Sequence, residues 1–233
     1  ITFTNAAGTF VQYSYDNIGQ LKVADSSLNS EDRGYAYDAG WNLNYRTNNG
    51  TLGTFVVDSK NELTTALATT LSYDTNGNLV TANSGHNAYA YDDENRLTEW
   101  AYYQSSPLSP TAGDLYTAFA YDGLGRLRIR REYVMICTNN QEELPQPVGD
   151  PDVVAPPAGC YWSLSSETHY LYDGNRVIQE RDQNNTPTVS YTRGTDLSGT
   201  LEGAGGIGGL LARSHGYSAG NWSTHNFYHA DGS

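Results

Sequence analysis

One short string recurs along this chain and constrains its fold more than any other feature. Tyr15-Asp16-Asn17-Ile18-Gly19-Gln20-Leu21 returns as Tyr73-Asp74-Thr75-Asn76-Gly77-Asn78-Leu79 and as Tyr121-Asp122-Gly123-Leu124-Gly125-Arg126-Leu127. Looser copies keep Tyr, Asp and Leu at Tyr37-Asp38 with Leu43 and at Tyr91-Asp92 with Leu97. Val57-Asp58 with Leu63 has lost its Tyr, Tyr172-Asp173 with Val177 is one residue shorter, and Tyr228-His229-Ala230-Asp231-Gly232 looks like the start of another. The string reads mechanically. An Asp carboxylate opens a turn by accepting a bond from the N–H two residues on. The Gly three residues later sits where the chain needs positive φ to re-enter a strand. Aromatic pairs two apart precede the turns: Tyr13 and Tyr15, Tyr35 and Tyr37, Tyr89 and Tyr91, Phe119 and Tyr121, Tyr170 and Tyr172. A period of two is the strand signature and puts both rings on one face. Each copy is therefore expected to be strand, tight turn, strand.

The spacing is uneven. The step from Tyr37 to Tyr73 contains the Val57 copy, and the step from Tyr121 to Tyr172 contains an insertion at about 137–160. The underlying unit is roughly 16–22 residues, the length of a two-stranded hairpin. A lone hairpin cannot bury its apolar face, whereas stacked ones can. The fold class expected is all-β: consecutive antiparallel β-hairpins in a continuous curved or spiralling sheet, one region over 1–233. The 19 Tyr and 24 Gly of the 233 residues agree with pleated surfaces and turns. The abrupt Ile1 and Ser233 read as a piece of a longer polypeptide.

With 13 basic against 26 acidic residues the net charge is −13, which argues against nucleic acid or anionic membrane as partners. No apolar run approaches the length of a membrane-spanning helix. Cys137 and Cys160 bracket a proline-rich stretch, and a disulfide closing it fits an oxidising, extracellular or cell-surface setting. The other reading is a pair of buried thiols.

The Tyr-Asp-x-x-Gly-x-Leu units resemble the YD repeats of the RHS family. The segment from Asp196-Leu197-Ser198-Gly199 through Leu211-Ala212-Arg213, followed by Tyr228 to Gly232, resembles the end of the RHS core. The resemblance implies hairpins wound into a hollow β-shell. In bacterial members the shell encloses a C-terminal toxin, and in the animal relatives, the teneurins, it serves adhesion. Some bacterial members cleave themselves through aspartates of a later motif, which these residues do not include.

Other motifs match chemistry only in outline. Gly203-Ala204-Gly205-Gly206-Ile207-Gly208 fits the dinucleotide pattern but lacks the strand before and the helix after that the pyrophosphate site needs. Gly216-Tyr217-Ser218-Ala219-Gly220 fits the nucleophile elbow, yet no helix is expected after it and no acid separates Ser218 from His225 or His229. Asp74-Thr75-Asn76-Gly77-Asn78 has calcium-loop spacing without the closing Glu. His225 and His229 could be metal ligands only on a helix, and His86, His169 and His215 stand alone. Asp92-Asp93-Glu94 and Glu142-Glu143 read as solvated charge rather than a carboxylate pair facing across a cleft. Trp41, Trp100, Trp162 and Trp222 could stack on sugars or pack between strands. Arg126, Arg128 and Arg130, beside Arg131, are expected to pair with acids across strands. Asn49, Asn184 and Asn221 open glycosylation-type triplets.

The function expected is structural: a β-shell segment of a large extracellular repeat protein that encloses a toxin or cargo or builds a surface assembly, without catalytic residues, metal or cofactor. The competing expectation is an adhesion module binding a glycan or protein receptor through exposed aromatics and the insertion. The scaffold residues are Tyr15, Asp16, Gly19, Tyr37, Asp38, Tyr73, Asp74, Gly77, Tyr91, Asp92, Tyr121, Asp122, Gly125, Tyr172 and Asp173. Open sheet edges would pair with the rest of the same chain or with other copies.

Overall fold

A computed structural model describes residues 1–106, 110–138, 156–201, 203–206 and 208–228. Among them every regular element is a strand except a short 3₁₀ turn at Asn29–Glu31. The chain forms two compact units, Ile1–Asn87 and Ala88–Ser233. The first holds β1 (Thr2–Thr4), β2 (Phe10–Tyr15), β3 (Leu21–Ser26), β4 (Arg33–Tyr37), β5 (Leu43–Asn48), β6 (Thr51–Val57), β7 (Leu63–Ala66), β8 (Thr69–Tyr73) and β9 (Leu79–Ala82). The second holds β10 (Asn87–Tyr91), β11 (Leu97–Tyr102), β12 (Leu115–Tyr121), β13 (Leu127–Cys137), β14 (Cys160–Asp173), β15 (Arg176–Arg181), β16 (Pro187–Arg193), β17 (Leu210–Ser218) and β18 (Asn221–Phe227). Within each unit consecutive strands pair antiparallel, as stacked hairpins should.

The same irregularity recurs in the hairpins. Tyr15 pairs with Leu21 but Ser14 pairs with Val23, so Lys22 is an extra residue on the return strand. Asn44, Thr64, Val80, Arg128 and Ile178 are extra in the same way, each directly after the Leu or Val of its copy. A bulge of this kind bends the strand that carries it. The ladder to the next hairpin then starts only beyond the bulge: Val23 with Gly34, Tyr45 with Thr54, Thr65 with Thr70, Ile129 with His169 and Gln179 with Ser190. Successive hairpins therefore splay next to each Tyr-Asp turn.

Burial is concentrated in the second unit. Ala101, Tyr103, Tyr116, Met135 and Trp162 form its core. The rings of Tyr116 and Tyr133 stack with centroids 5.3 Å apart, and Trp162 tilts against Tyr116 at 5.6 Å. Asp114 is fully buried beside them. It is tolerated because its carboxylate accepts the N–H groups of Gln104 at 2.9 Å and Thr111 at 2.7 Å, satisfying a charge that would otherwise be costly to bury. β13 and β14 form the longest ladder, and its last pair, Cys137 with Cys160, is joined by a disulfide. Residues 139–155, most of the insertion, lie outside the described residues, as do Glu142, Glu143 and His229.

Closing a loop of this length is worth roughly 3 kcal/mol by restricting the unfolded chain. Replacing both cysteines by serine should lower the urea midpoint of unfolding accordingly. An unchanged midpoint would mean that the β13–β14 ladder alone fixes this region.

Candidate functional site

The aspartates of the repeats make one kind of turn. In each, the Asp N–H donates to the carbonyl four residues on, and the N–H three residues on donates to the Asp carbonyl. This holds at Asp16, Asp38, Asp58, Asp74, Asp92 and Asp122. It also holds at Asp182 and Asp196, which the repeat string does not mark because Arg181 and Thr195 stand in place of Tyr. The carboxylate completes the loop: Oδ1 of Asp74 accepts from Asn76 N at 2.9 Å and Asn78 N at 2.8 Å, and Asp16, Asp58, Asp92, Asp122 and Asp182 do the same at their own offsets. The residue three after Asp takes positive φ, as Gly19, Gly77 and Gly125 do, and as Asn61, Asn95 and Asn185 do where Gly is absent. Trp41 is the outlier, a bulky residue at φ 69° with 70% of its surface exposed. Left-handed backbone at a side chain of that kind is strained.

Asp173 behaves differently from the turn-former expected of it. The β14–β15 hairpin turns on Gly174-Asn175 alone, and Asp173 closes the strand by accepting from Arg176 Nη2 at 2.8 Å. The arginines that follow the Asp122 turn also differ from expectation. Arg126 pairs with Asp122 of its own turn, Arg128 lies 3.6 Å from the same carboxylate, and Arg130 faces Glu132 on its own strand. Arg131, bound to Glu167 on β14, makes the cross-strand pair. The bulge at Arg128 rotates the alternation on which the cross-strand expectation relied.

The tyrosines do more than pack. Tyr73 donates its hydroxyl to the Leu63 carbonyl at 2.9 Å, Tyr121 to Leu97 at 2.8 Å and Tyr172 to Leu127 at 2.9 Å. In every case the acceptor is the first return-strand residue of the hairpin before, in the splayed region. Burial pushes these three phenols above their ordinary range. Where the preceding turn carries Arg, it completes a clamp. Arg96 binds Asp92 at 2.7 Å and lies 5.1 Å over the ring of Tyr121, and Arg126 binds Asp122 at 2.9 Å and lies 5.0 Å over Tyr172. Arg193 does the phenol's work at the next gap by donating to the Val177 carbonyl. Tyr37 occupies the same place opposite Leu21 with no hydroxyl bond among the described residues. The signal for the clamp was Arg four residues after Asp92 and Asp122; the acceptor carbonyl, tens of residues away, left none.

The Gly-rich segment is a strap rather than a nucleotide loop. Asp196 is buried, and its carboxylate accepts from Ser198, Ala204 and Gly206 backbone N–H groups. The Ser198 hydroxyl and those bonds hold it down at about 2. No helix follows Gly208; β17 does. Ser218 lies where β17 turns into β18, paired with Asn221, so the elbow geometry is absent there. His225 Nδ1 is 2.8 Å from the Ser214 hydroxyl, a cross-strand pair. Trp162 is core, Trp222 packs on Tyr217, and Asp92 and Glu94 both bind Arg96. Among the described residues no three His, Cys, Asp or Glu side chains gather as a metal site. No helix among them is long and apolar enough to cross a membrane.

The family model described as Teneurin YD-shell matches residues 1–138. No curated protein matches the chain. A crystal structure of TcdB2-TccC3-Cdc42 superposes with TM-score 0.50 at 15% identity, covering 96% of this chain and 13% of that one. One of TcdB2-TccC3-TEV gives TM-score 0.47 at 14% identity, covering 83% and 10%. The chain thus spans about an eighth of the length of the first of these, and that likeness shows the fold.

Asp122 supplies a pH test. Its carboxyl falls from the ordinary 3.8 to about 2, chiefly because the Arg126 side chain binds it, with the Arg126 and Leu124 N–H groups adding to this. A depressed carboxylate stabilises fully above 3.8 and loses that contribution as pH falls toward 2. Asp122→Asn should lower stability at neutral pH and flatten its decline between about pH 4 and 2. Parallel acid-unfolding curves for the two proteins would contradict the assignment.

Proposed function

This chain belongs to the teneurin YD-shell family and is a structural segment of such a shell, and we propose that the shell it helps to build walls off a protein cargo outside the cell. The observation that carries this reading is the turn and phenol architecture itself. Most hairpins are fixed by their own Asp, and four gaps are tied by a side chain, Tyr73, Tyr121, Tyr172 or Arg193, reaching a backbone carbonyl of the hairpin before. Such a device makes a wall that is stiff along its length with little core, and most side chains outside the second unit's cluster are only partly buried. The polar groups that could carry chemistry are engaged in turns, straps and cross-strand pairs, which supports a scaffold without catalysis. The Cys137–Cys160 bridge supports an oxidising location. The similar TcdB2-TccC3-Cdc42 structure holds TccC3 together with Cdc42; for this chain, a protein cargo is the corresponding proposal. The outer strands would be completed by further repeats of the same polypeptide.

The test is cryo-electron microscopy of the full-length polypeptide that contains these residues, with limited proteolysis alongside. The reading predicts a closed β-wall around a protease-protected segment. An open sheet whose faces are free, with every downstream segment cleaved at the same rate as a control peptide, would overturn it.

A further inference from the structure

The sequence holds two Asn-Gly pairs, Asn49-Gly50 and Asn76-Gly77, and the fold treats them differently. Asn49 and Gly50 alone join β5 to β6, with Asn48 paired to Thr51 at the end of the ladder. Both loop residues take positive φ, 50° and 78°, the backbone of a type I′ turn, which Asn-Gly favours. Both are exposed, and a side chain on Gly50 would meet nothing within 4 Å. The Asn49 N–H donates to the Asp32 carbonyl at 2.9 Å. Among the described residues neither the Asn49 side-chain amide nor the Gly50 N–H has a hydrogen-bond partner. Asn76 and Gly77 are also exposed, at the tip of the Asp74 turn. There, however, the Gly77 N–H donates to the Asp74 carbonyl at 3.2 Å and the Asn76 N–H to Asp74 Oδ1 at 2.9 Å.

We propose that Asn49 is a site of spontaneous covalent modification, where the side-chain amide is lost and the backbone is rerouted through an isoaspartyl linkage. The nucleophile is the Gly50 backbone nitrogen. Once it gives its proton to hydroxide or water, it attacks Asn49 Cγ and a C–N bond forms. The Cγ–Nδ2 bond then breaks, and ammonia leaves with a proton from solvent, closing a five-membered succinimide. Water adds to either ring carbonyl and reopens the ring to aspartate or isoaspartate. The sum is amide plus water giving carboxylate plus ammonium, with no change of oxidation state. Gly50 carries no side chain to shield its nitrogen, and no hydrogen bond holds that N–H away from Cγ. The attack needs rotation about the Asn49 Cα–C bond, hence a brief opening of the turn. The Asn48–Thr51 pair and the Asp32 bond restrain that opening, and an exposed hairpin tip is where local opening costs least. Isoaspartate adds a backbone methylene to a two-residue loop, so the match of the I′ turn to the strand twist is lost. The inference stands on the two turns and does not depend on what the shell encloses.

The test is peptide mapping of the intact chain, folded and in urea, after incubation in mildly alkaline buffer. Cleavage after Arg46, Lys60 and Arg96 puts Asn49 and Asn76 on separate peptides. Electron-transfer fragmentation distinguishes isoaspartate from aspartate on each. In the folded chain Asn49 should convert about fivefold faster than Asn76 or more, the factor equivalent to roughly 1 kcal/mol for the Gly77 hydrogen bond. In urea the two rates should converge, with isoaspartate at both positions. Asp74→Ala, which removes the carboxylate that holds the Asn76 and Asn78 N–H groups, should quicken Asn76 and leave Asn49 as it was. Equal rates in the folded wild-type chain, or a faster Asn76, would overturn the proposal whatever the variant does. So would the same ratio in urea, which would trace the difference to flanking sequence, or conversion of Asn49 to aspartate without isoaspartate. An unchanged Asn76 rate in a folded Asp74→Ala protein would do the same.

Discussion

The structure depends on how it satisfies one backbone carbonyl. The hairpins of Tyr15, Tyr37, Val57, Tyr73, Tyr121 and Tyr172 each carry a one-residue bulge on the return strand, and the bulge delays the ladder to the next hairpin. The carbonyl just before the bulge is then left without a ladder partner from the neighbouring strand. An unpaired carbonyl that loses water is costly. At the Leu63, Leu97 and Leu127 gaps the next tyrosine reaches over and donates its hydroxyl. The same ring covers the apolar opening, so a single residue type closes the gap chemically and sterically. A phenol meets that dual demand where phenylalanine or serine would not, which is a physical reason for Tyr73, Tyr121 and Tyr172.

The aspartate and the tyrosine of the motif consequently hold different levels of structure. Asp122 fixes its own five-residue turn through backbone N–H groups, a local matter. Tyr121 binds the hairpin before it, a matter of stacking order. Arg126 connects the levels by binding Asp122 while covering Tyr172 of the following hairpin. Gln20, Asn42, Glu62 and Asn78 occupy the arginine's position in the first unit, and that unit has little buried side-chain surface beyond Ala24, Ser26 and Ala82. The two units thus differ in how firmly each hairpin is tied to the next, the second being the tighter.

Local chemistry was legible in the sequence, and long-range chemistry was not. The strand-turn-strand unit, the all-β class and the Cys137–Cys160 bridge could be read because period-two aromatics, Asp-to-Gly spacing and a cysteine pair flanking an insertion each act over a short stretch. Asp182 and Asp196 were not legible from the Tyr-Asp string because Arg181 and Thr195 precede them, although Asp-x-x-Asn and Asp-x-x-Gly alone make the turn. The pairing of Arg126 and Arg128 was misread because strict alternation ignores the bulge. Trp41 at positive φ follows the three-residue offset from Asp38 but contradicts the residue preference of that position, so propensity alone would not place it there. The hydroxyl-to-carbonyl bonds join residues whose separation along the chain varies from gap to gap, which no fixed spacing encodes.

Native-state hydrogen exchange on Tyr121→Phe and Tyr172→Phe tests the central claim most directly. Each variant keeps the ring and removes one hydrogen bond, a loss of about 1 kcal/mol. The account predicts faster exchange in the return strand of the preceding hairpin, around Leu97 for the first variant and around Leu127 for the second, with the variant's own Asp turn as protected as before. Unchanged protection at those leucines, or loss confined to the hairpin that carries the substitution, would contradict it.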